Sequence, residues 1–274
     1  MLPYQNLYIY EISGEIPNSR KYFKKDYIGC WNEGEISFLF FSAPHDEEVQ
    51  ALIRRKRLTL LSRNVLDYEA WQAGEELKPF KVGNLVISPP WEDSTIEQGE
   101  TLIRLDPCVV FGTGYHPTTR SCLQALWRIY QREIPKRALD LGTGSGILSL
   151  AMAKWGAESV LAIDSNELAV DTALKNVIIN GESQRVEVRQ GQAEDFIEEE
   201  VDLVCANLHF QVIEFLLSKK ACYKKRWLLL SGFFVKDSEA IEKKLREKTV
   251  QIYDRFHVKN WMTIVGLNER LPHA

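Results

Sequence analysis

Asp140-Leu141-Gly142-Thr143-Gly144-Ser145-Gly146 decides how this chain is read, with Asp164 closing the next apolar segment. Arg137-Ala138-Leu139 leads into the stretch, and Ile147 to Trp155 follows it with a helical pattern. The order is strand, glycine-rich turn, helix. Glycine has no Cβ, so the backbone passes close to a ligand in conformations that a side chain forbids. The helix that follows is expected to aim free N–H groups at that ligand. Ser159-Val160-Leu161-Ala162-Ile163 reads as the second strand and delivers Asp164 to the carboxyl edge of a sheet. A carboxylate there accepts both hydroxyls of a ribose. The stretch therefore predicts a site for an adenosine-containing small molecule.

Two cofactor classes share this geometry. The dinucleotide fingerprint is G-x-G-x-x-G, with an acidic residue about 20 positions further on. Here the spacing is G-x-G-x-G, and Ile147 stands where the third glycine would be. Asp140 would face a dinucleotide's pyrophosphate with a repelling carboxylate. It suits a ligand that carries an ammonium and a sulfonium, so the residues favour S-adenosylmethionine over NAD. Asp140, Gly142, Gly144, Gly146 and Asp164 are the candidate cofactor-binding residues of this stretch.

The chain has 274 residues, enough for two domains and at least one substantial core. Its net charge of −4 gives no global basic field, so direct nucleic-acid binding is not expected. Met1-Leu2-Pro3-Tyr4-Gln5 is not a basic segment leading into an apolar run, so no signal peptide is expected. No apolar stretch is long enough to span a bilayer, and no membrane association is expected. Cys30, Cys108, Cys122, Cys205 and Cys222 are scattered and lack C-x-x-C spacing. That pattern points to a reducing cytoplasm and away from a metal site or a disulfide framework.

Residues 1–65 read as a small α+β unit. Leu7 to Ile12, Tyr27 to Trp31 and Glu35 to Phe41 are strand-like, with a turn at Asn32-Glu33-Gly34. His45 to Arg57 is helical, with Val49, Leu52 and Ile53 on one face, and Leu58 to Leu61 is a further strand candidate. Residues 66–100 read as a connecting region holding a short helix over 67–77 and one strand over 82–88. From residue 101 onward the chain carries the cofactor pattern: a strand near 101–105, a helix over 118–130, then strands near 138–141, 160–164, 186–189, 202–206 and 227–231. Two more strands, near 250–257 and 261–267, close the chain. The expectation is an α/β fold with a seven-stranded, mostly parallel, Rossmann-like sheet bearing one antiparallel edge strand. Ligands in such sheets sit at the carboxyl ends of the strands.

Two further motifs carry chemistry. In Asp106-Pro107-Cys108-Val109-Val110-Phe111-Gly112-Thr113-Gly114-Tyr115-His116-Pro117-Thr118-Thr119, the glycines make a flexible loop. The loop runs into a helix capped around Thr118 with Pro117 near its start, and it is placed to fold over a ligand. Asn207-Leu208-His209-Phe210 ends the fourth strand of the alternating region. Asn207 either meets the reacting amine there or caps the next helix, and the residues alone leave both open.

These residues together resemble the PrmA family, the methyltransferases that modify large-subunit ribosomal protein L-eleven. The family pattern is D-P-G-x-A-F-G-T-G-x-H-x-T-T, then D-x-G-x-G-S-G-I-L, then an Asp after the second strand, then N-I-L-A. The chain matches at Asp106-Pro107, Phe111-Gly112-Thr113-Gly114, His116, Thr118-Thr119, Asp140, Gly142, Gly144-Ser145-Gly146-Ile147-Leu148, Asp164 and Asn207. Pro90-Trp91 and Leu230-Ser231-Gly232 are also similar to the family. The resemblance runs from about Trp71 to the end. It implies a class I, S-adenosylmethionine-dependent protein methyltransferase that acts on amino groups, a lysine side chain or an N-terminus, of a large-subunit ribosomal protein. Residues 1–65 would recognise the substrate and residues 101–274 would form the catalytic domain. It also implies Thr119, Gly142, Asp164 and Asn207 as cofactor contacts, with Asn207 between the methyl group and the amine.

The chain departs from the pattern where Cys108 replaces Gly, Val110 replaces Ala, and His209-Phe210 replaces Leu-Ala. Tyr115 stands at a variable position. The loose match of residues 1–65 keeps other acceptors open, another protein or a small amine, as well as a degenerate cofactor-binding interaction protein. His209 is weighed as a base, since imidazole titrates near neutral pH. Asp195 is weighed as an adenine contact. The basic runs Arg54-Arg55-Lys56-Arg57 and Lys219-Lys220 to Arg226 are read as solvated faces rather than RNA contacts.

Overall fold

The computed structural model describes residues 3–71 and 78–271. The chain divides into two compact units. The first runs to Lys78 and takes in residues 91–93 and 166–168, and the second holds the rest.

The first unit comprises β1 (Asn6–Ser13), β2 (Tyr27–Glu33), β3 (Ile36–Phe41), α1 (Asp46–Lys56), β4 (Leu60–Asp67) and α2 (Tyr68–Trp71). Its sheet is antiparallel in the order β2-β3-β1-β4. The turn between β2 and β3 contains Gly34 at φ 56°, a left-handed conformation that glycine adopts without strain. Val49, Leu52 and Ile53 of α1 pack on Tyr10, Ile12, Leu39 and Phe41, as their helical spacing predicts. β4 is longer than the strand expected at 58–61 because it pairs with β1 up to Asp67. Of the helix expected over 67–77, α2 takes Tyr68–Trp71, and residues 72–77 lie outside the described residues.

The second unit begins with β5 (Phe80–Val82), β6 (Leu85–Ser88), β7 (Thr101–Arg104) and α3 (Pro117–Arg132). The single strand expected over 82–88 in a connecting region is instead part of a two-stranded hairpin over 80–88, and β6 pairs in parallel with β7. Gly83 at φ 57° makes the turn, and a Cβ there would come within 2.3 Å of the Trp127 ring. Leu85, Ile87 and Ile103 join Leu123, Leu126 and Ile129 of α3 in one core, so this segment is packed structure.

The rest alternates: β8 (Arg137–Leu141), α4 (Ile147–Lys154), β9 (Ser159–Asp164), α5 (Glu167–Ile179), β10 (Val186–Gln190), β11 (Leu203–Asn207), α6 (Phe210–Leu216), β12 (Trp227–Phe234), α7 (Ser238–Glu247), β13 (Gln251–Val258) and β14 (Trp261–Leu267). Seven strands form one sheet in the order β10-β9-β8-β11-β12-β14-β13. β14 is antiparallel to both neighbours, so the antiparallel strand lies inside the sheet and not at its edge. The burial pattern explains the swap. β14 is apolar and almost wholly buried, whereas β13 alternates exposed and half-buried residues and tolerates an edge. Cores cover both faces of the sheet, which is why its central parallel strands read as continuous apolar runs. The order reverses at β8, between β9 and β11. The carboxyl ends of these three strands are adjacent there, at the topological switch point.

Candidate functional site

Asp140 is fully buried near the end of β8. Its Oδ2 accepts hydrogen bonds from Thr143 Oγ1 at 2.7 Å and Ser149 Oγ at 2.6 Å. Its Oδ1 is buried with no hydrogen-bond partner among the described residues. Burial penalises the charged form, and the neighbouring Asp164 adds to that. Together they push Asp140 up to about 6 against the opposing pull of the two hydroxyls.

The turn after Asp140 is closed by hydrogen bonds from its own backbone. Gly142 and Thr143 both donate their N–H to Ile163 O at 2.9 Å, and Gly144 N–H donates to Asp164 Oδ2 at 2.9 Å. Ser145 N–H reaches Phe111 O at 3.0 Å, and Gly146 N–H reaches Thr143 O at 2.9 Å. Five consecutive amides are thus committed within the protein, and the N–H groups expected to face a ligand, those of the helix that starts at Ile147, are not among them. The glycines serve close approach instead. A Cβ at Gly142 would come within 2.3 Å of Leu208 Cδ2, and one at Gly144 within 2.5 Å of Phe111 O.

The second glycine loop is fastened to the first. Ser145 Oγ donates to Gly112 O at 2.6 Å, and Gly112 stands at φ 102°. Cys108 adopts φ 51°, the left-handed region, where the family pattern carries glycine. Its N–H donates to Asp106 Oδ1 at 3.0 Å, which holds the turn. The cap of α3 is His116, not Thr118: His116 Nδ1 accepts the Thr118 N–H at 3.4 Å, and Pro117 occupies the first helical position. Burial pushes the His116 imidazole below its ordinary range. Thr119 is buried, and its Oγ1 has no hydrogen-bond partner among the described residues. Cys122, one turn further along α3, is fully buried in one core with Cys205 of β11, which lies opposite Asp140 in register. That shared core joins the first turns of α3 to the carboxyl ends of β8 and β11.

Asn207 ends β11, half-buried, and its side chain makes no hydrogen bond among the described residues. It does not cap α6, because the cap position belongs to His209. The open choice between aligning and capping is thereby narrowed. His209 is exposed, and its side chain makes no capping bond. Leu208 N–H donates to Ser231 O at 3.0 Å. Gly232, at φ 91°, lets the two segments touch, since a Cβ there would lie 2.3 Å from Leu208 O. Asp195 is exposed in a short 3₁₀ turn after β10, and Tyr115 packs edge-on to Phe80.

A family model described as ribosomal protein L11 methyltransferase (PrmA) matches residues 9–269. The chain belongs to the PrmA family. The ribosomal protein L11 methyltransferase of Exiguobacterium sibiricum is 36% identical over 211 residues, covering 74% of this chain and 66% of that protein. The protein of the same name from Halalkalibacterium halodurans is 37% identical over 202 residues, covering 73% of this chain and 63% of its own length. Each match spans less than two thirds of the relative. The crystal structure of a ribosomal protein L11 methylase from Lactobacillus delbrueckii subsp. bulgaricus is 27% identical, with a TM-score of 0.62. It covers 69% of this chain and 97% of that one. The seven-stranded sheet is the class I methyltransferase fold.

Set against the PrmA pattern, Asp140, the three glycines and Asp164 gather at the ends of β8 and β9, and Asn207 ends the neighbouring β11. Sequence reasoning missed Ser145, Ser149 and Asn176 as organisers of these ends. Ser149 and Asn176 are polar residues in helices, and both are fully buried. A polar residue on an otherwise apolar helical face was the available signal. Part of the second basic run is buried rather than solvated: Lys225 Nζ donates to Glu199 O, and Arg226 pairs with Glu133. Among the described residues no helix is long and apolar enough to cross a membrane, and no group of three or more His, Cys, Asp or Glu side chains is placed to hold a metal.

Proposed function

We propose that this chain is an S-adenosylmethionine-dependent methyltransferase that modifies amino groups of a large-subunit ribosomal protein in the cytoplasm. The observation that carries the reading is a pair of buried polar atoms, Thr119 Oγ1 and Asp140 Oδ1, without hydrogen-bond partners among the described residues at two candidate cofactor positions. A buried polar atom without a partner costs about 1–3 kcal/mol, so its retention points to a ligand that completes it. The residues suit this cofactor. Asp140 supplies negative charge beside a cationic ligand, and Asp164 supplies a carboxylate for ribose hydroxyls. Gly142, Gly144 and Gly146 let the backbone come close. The five committed amides at 142–146 support a ligand with no pyrophosphate to anchor, which speaks against NAD.

When bound, the cofactor supplies an electrophilic methyl group on a sulfonium. The protein's share is alignment and exclusion of water. Asn207, with an unengaged amide at the end of β11, orients the incoming amine or the cofactor's reacting end. A lysine ammonium loses its proton at a cost of roughly 4–5 kcal/mol at pH 7. A nearby cation lowers that cost, so no dedicated base is assigned. The first unit, through Lys78, would present the protein substrate. Incubation with labelled S-adenosylmethionine and purified ribosomal protein L11, followed by mass spectrometry, tests the reading. Methylated lysine or N-terminus is the expected product. Calorimetry that finds NAD bound and S-adenosylmethionine unbound would overturn it.

A further inference from the structure

Asn176 sits fully buried in α5, behind both glycine-rich loops. Its Nδ2 donates to Ser145 O and to Asp106 O, each at 2.8 Å, and its Oδ1 accepts the Asp106 N–H at 2.9 Å. One amide therefore holds the start of the 106–119 loop and the middle of the 140–146 turn at once. Ser145 is gripped from both sides, because its N–H and Oγ already bind Phe111 O and Gly112 O. The same helix face adds Ala173, whose Cβ would lie 3.2 Å from a Cβ at Gly146. Lys175 Nζ reaches Asp106 Oδ2 at 2.5 Å.

Asn180, one turn further on, offers a built-in control. Its Nδ2 donates to Arg104 O at 2.7 Å and its Oδ1 accepts the Arg104 N–H at 2.9 Å. The bond types match those of Asn176, yet they end on β7 and, through a second Nδ2 bond at 2.8 Å, on the Asn176 carbonyl within the same helix, not on the loops. Equal chemistry at the two positions thus serves different segments, and only Asn176 bridges the two parts of the candidate site.

We infer that Asn176 is a positioning residue that locks the two glycine-rich loops into one frame and thereby sets affinity for the cofactor. The inference rests on the methyltransferase reading above. Asn176 has no role in the chemical step itself, so its loss should act on cofactor binding and spare turnover at saturation.

The test measures S-adenosylmethionine binding to the full chain by calorimetry, with steady-state kinetics on ribosomal protein L11. Asn176→Ala should weaken binding about tenfold or more and raise the cofactor KM alike, with kcat within about threefold of wild type. Asn180→Ala should lose comparable thermal stability yet bind within about twofold of wild type. Ser145→Ala added to Asn176→Ala should cost less than it does alone, because both act through one coupled unit. Should Asn176→Ala not fold, Asn176→Ser, which keeps one donor, is read by the same criteria. Unchanged affinity in the Asn176 variants, or an equal loss in Asn180→Ala, overturns the inference. Failure of the wild-type chain to bind the cofactor would instead remove the methyltransferase reading, and this inference with it.

Discussion

Asp140 and Glu133 mark opposite ends of one sheet. Asp140 lies at the carboxyl end, where β8 and β9 meet the glycine turn. Glu133 caps the far end of α3, near the starts of β8 and β12. Glu133 takes two hydrogen bonds from the Arg226 guanidinium and one from Trp227 Nε1. Arg226 in turn donates to Leu271 O at 2.6 Å, which ties down the last described residues. Both Glu133 oxygens are thus engaged. At Asp140 one oxygen receives two hydroxyls and the other receives no hydrogen bond among the described residues. Both ends hold a carboxylate in a poorly hydrated place. What separates structure from a binding site is whether the protein itself completes the hydrogen bonds.

The largest expected effect tests the structural end. Removing one partner of a buried ion pair costs about 3–5 kcal/mol, because the other charge is left stranded. Glu133→Ala should lower stability by that order in urea titrations, while cofactor affinity, measured well below the transition, stays at the wild-type value. Affinity falling in step with stability would mean that the two ends are not separable.

Asp140→Asn probes the other end with the opposite sign. An ordinary aspartate titrates near 3.9, and burial pushes Asp140 up to about 6. Between those values the folded protein holds a proton that the unfolded chain has released. Stability therefore falls as pH rises from about 4 to 6, and the loss persists above that window. The asparagine keeps an oxygen for Thr143 and Ser149 and removes the buried charge. It should gain up to about 3 kcal/mol at pH 7 and nothing below pH 4, as seen in melting curves across that range. Cofactor affinity should move the other way: wild type is expected to bind more tightly as pH rises from about 5 to 7, and the variant to lose that rise. A variant no more stable than wild type at pH 7 would remove the contrast between the two carboxylates.

Within the carboxyl end, Asn207 and His209 sharpen the comparison further. Asn207→Ala should reduce turnover about 100-fold or more, with an unchanged melting temperature. His209→Ala should change neither the rate nor the pH–rate profile, since its exposed imidazole makes no capping bond. A loss of rate in His209→Ala, with Asn207→Ala at full speed, would move the reacting centre two residues along, to the cap of α6.

Local pattern carried much of the fold. The strands around Asp140 and Asp164, the α1 face of Val49, Leu52 and Ile53, and the helix starting at Pro117 were legible because periodicity and glycine placement are local signals. The hairpin at Gly83 read as one strand, because a two-residue turn barely interrupts an apolar run. The antiparallel strand was misplaced to the edge, because chain order does not reveal which of two terminal strands is inserted. The basic run ending at Arg226 read as solvated, because a Lys-rich stretch does not disclose a Glu 93 positions away.

The sequence by itself determined the α/β alternation, the glycine turn with its two acidic residues, and the family. These depend on residue types at short spacings, where backbone freedom and charge act directly. Tertiary structure alone decided that the turn's amides are consumed internally. It also decided that His116 caps α3, that Asn176 joins two loops 70 and 31 residues away in sequence, and that Thr119 and Asp140 each keep one polar atom without a partner among the described residues. Whether a polar group is satisfied depends on partners distant in the chain, and only the packed molecule brings them within bonding distance.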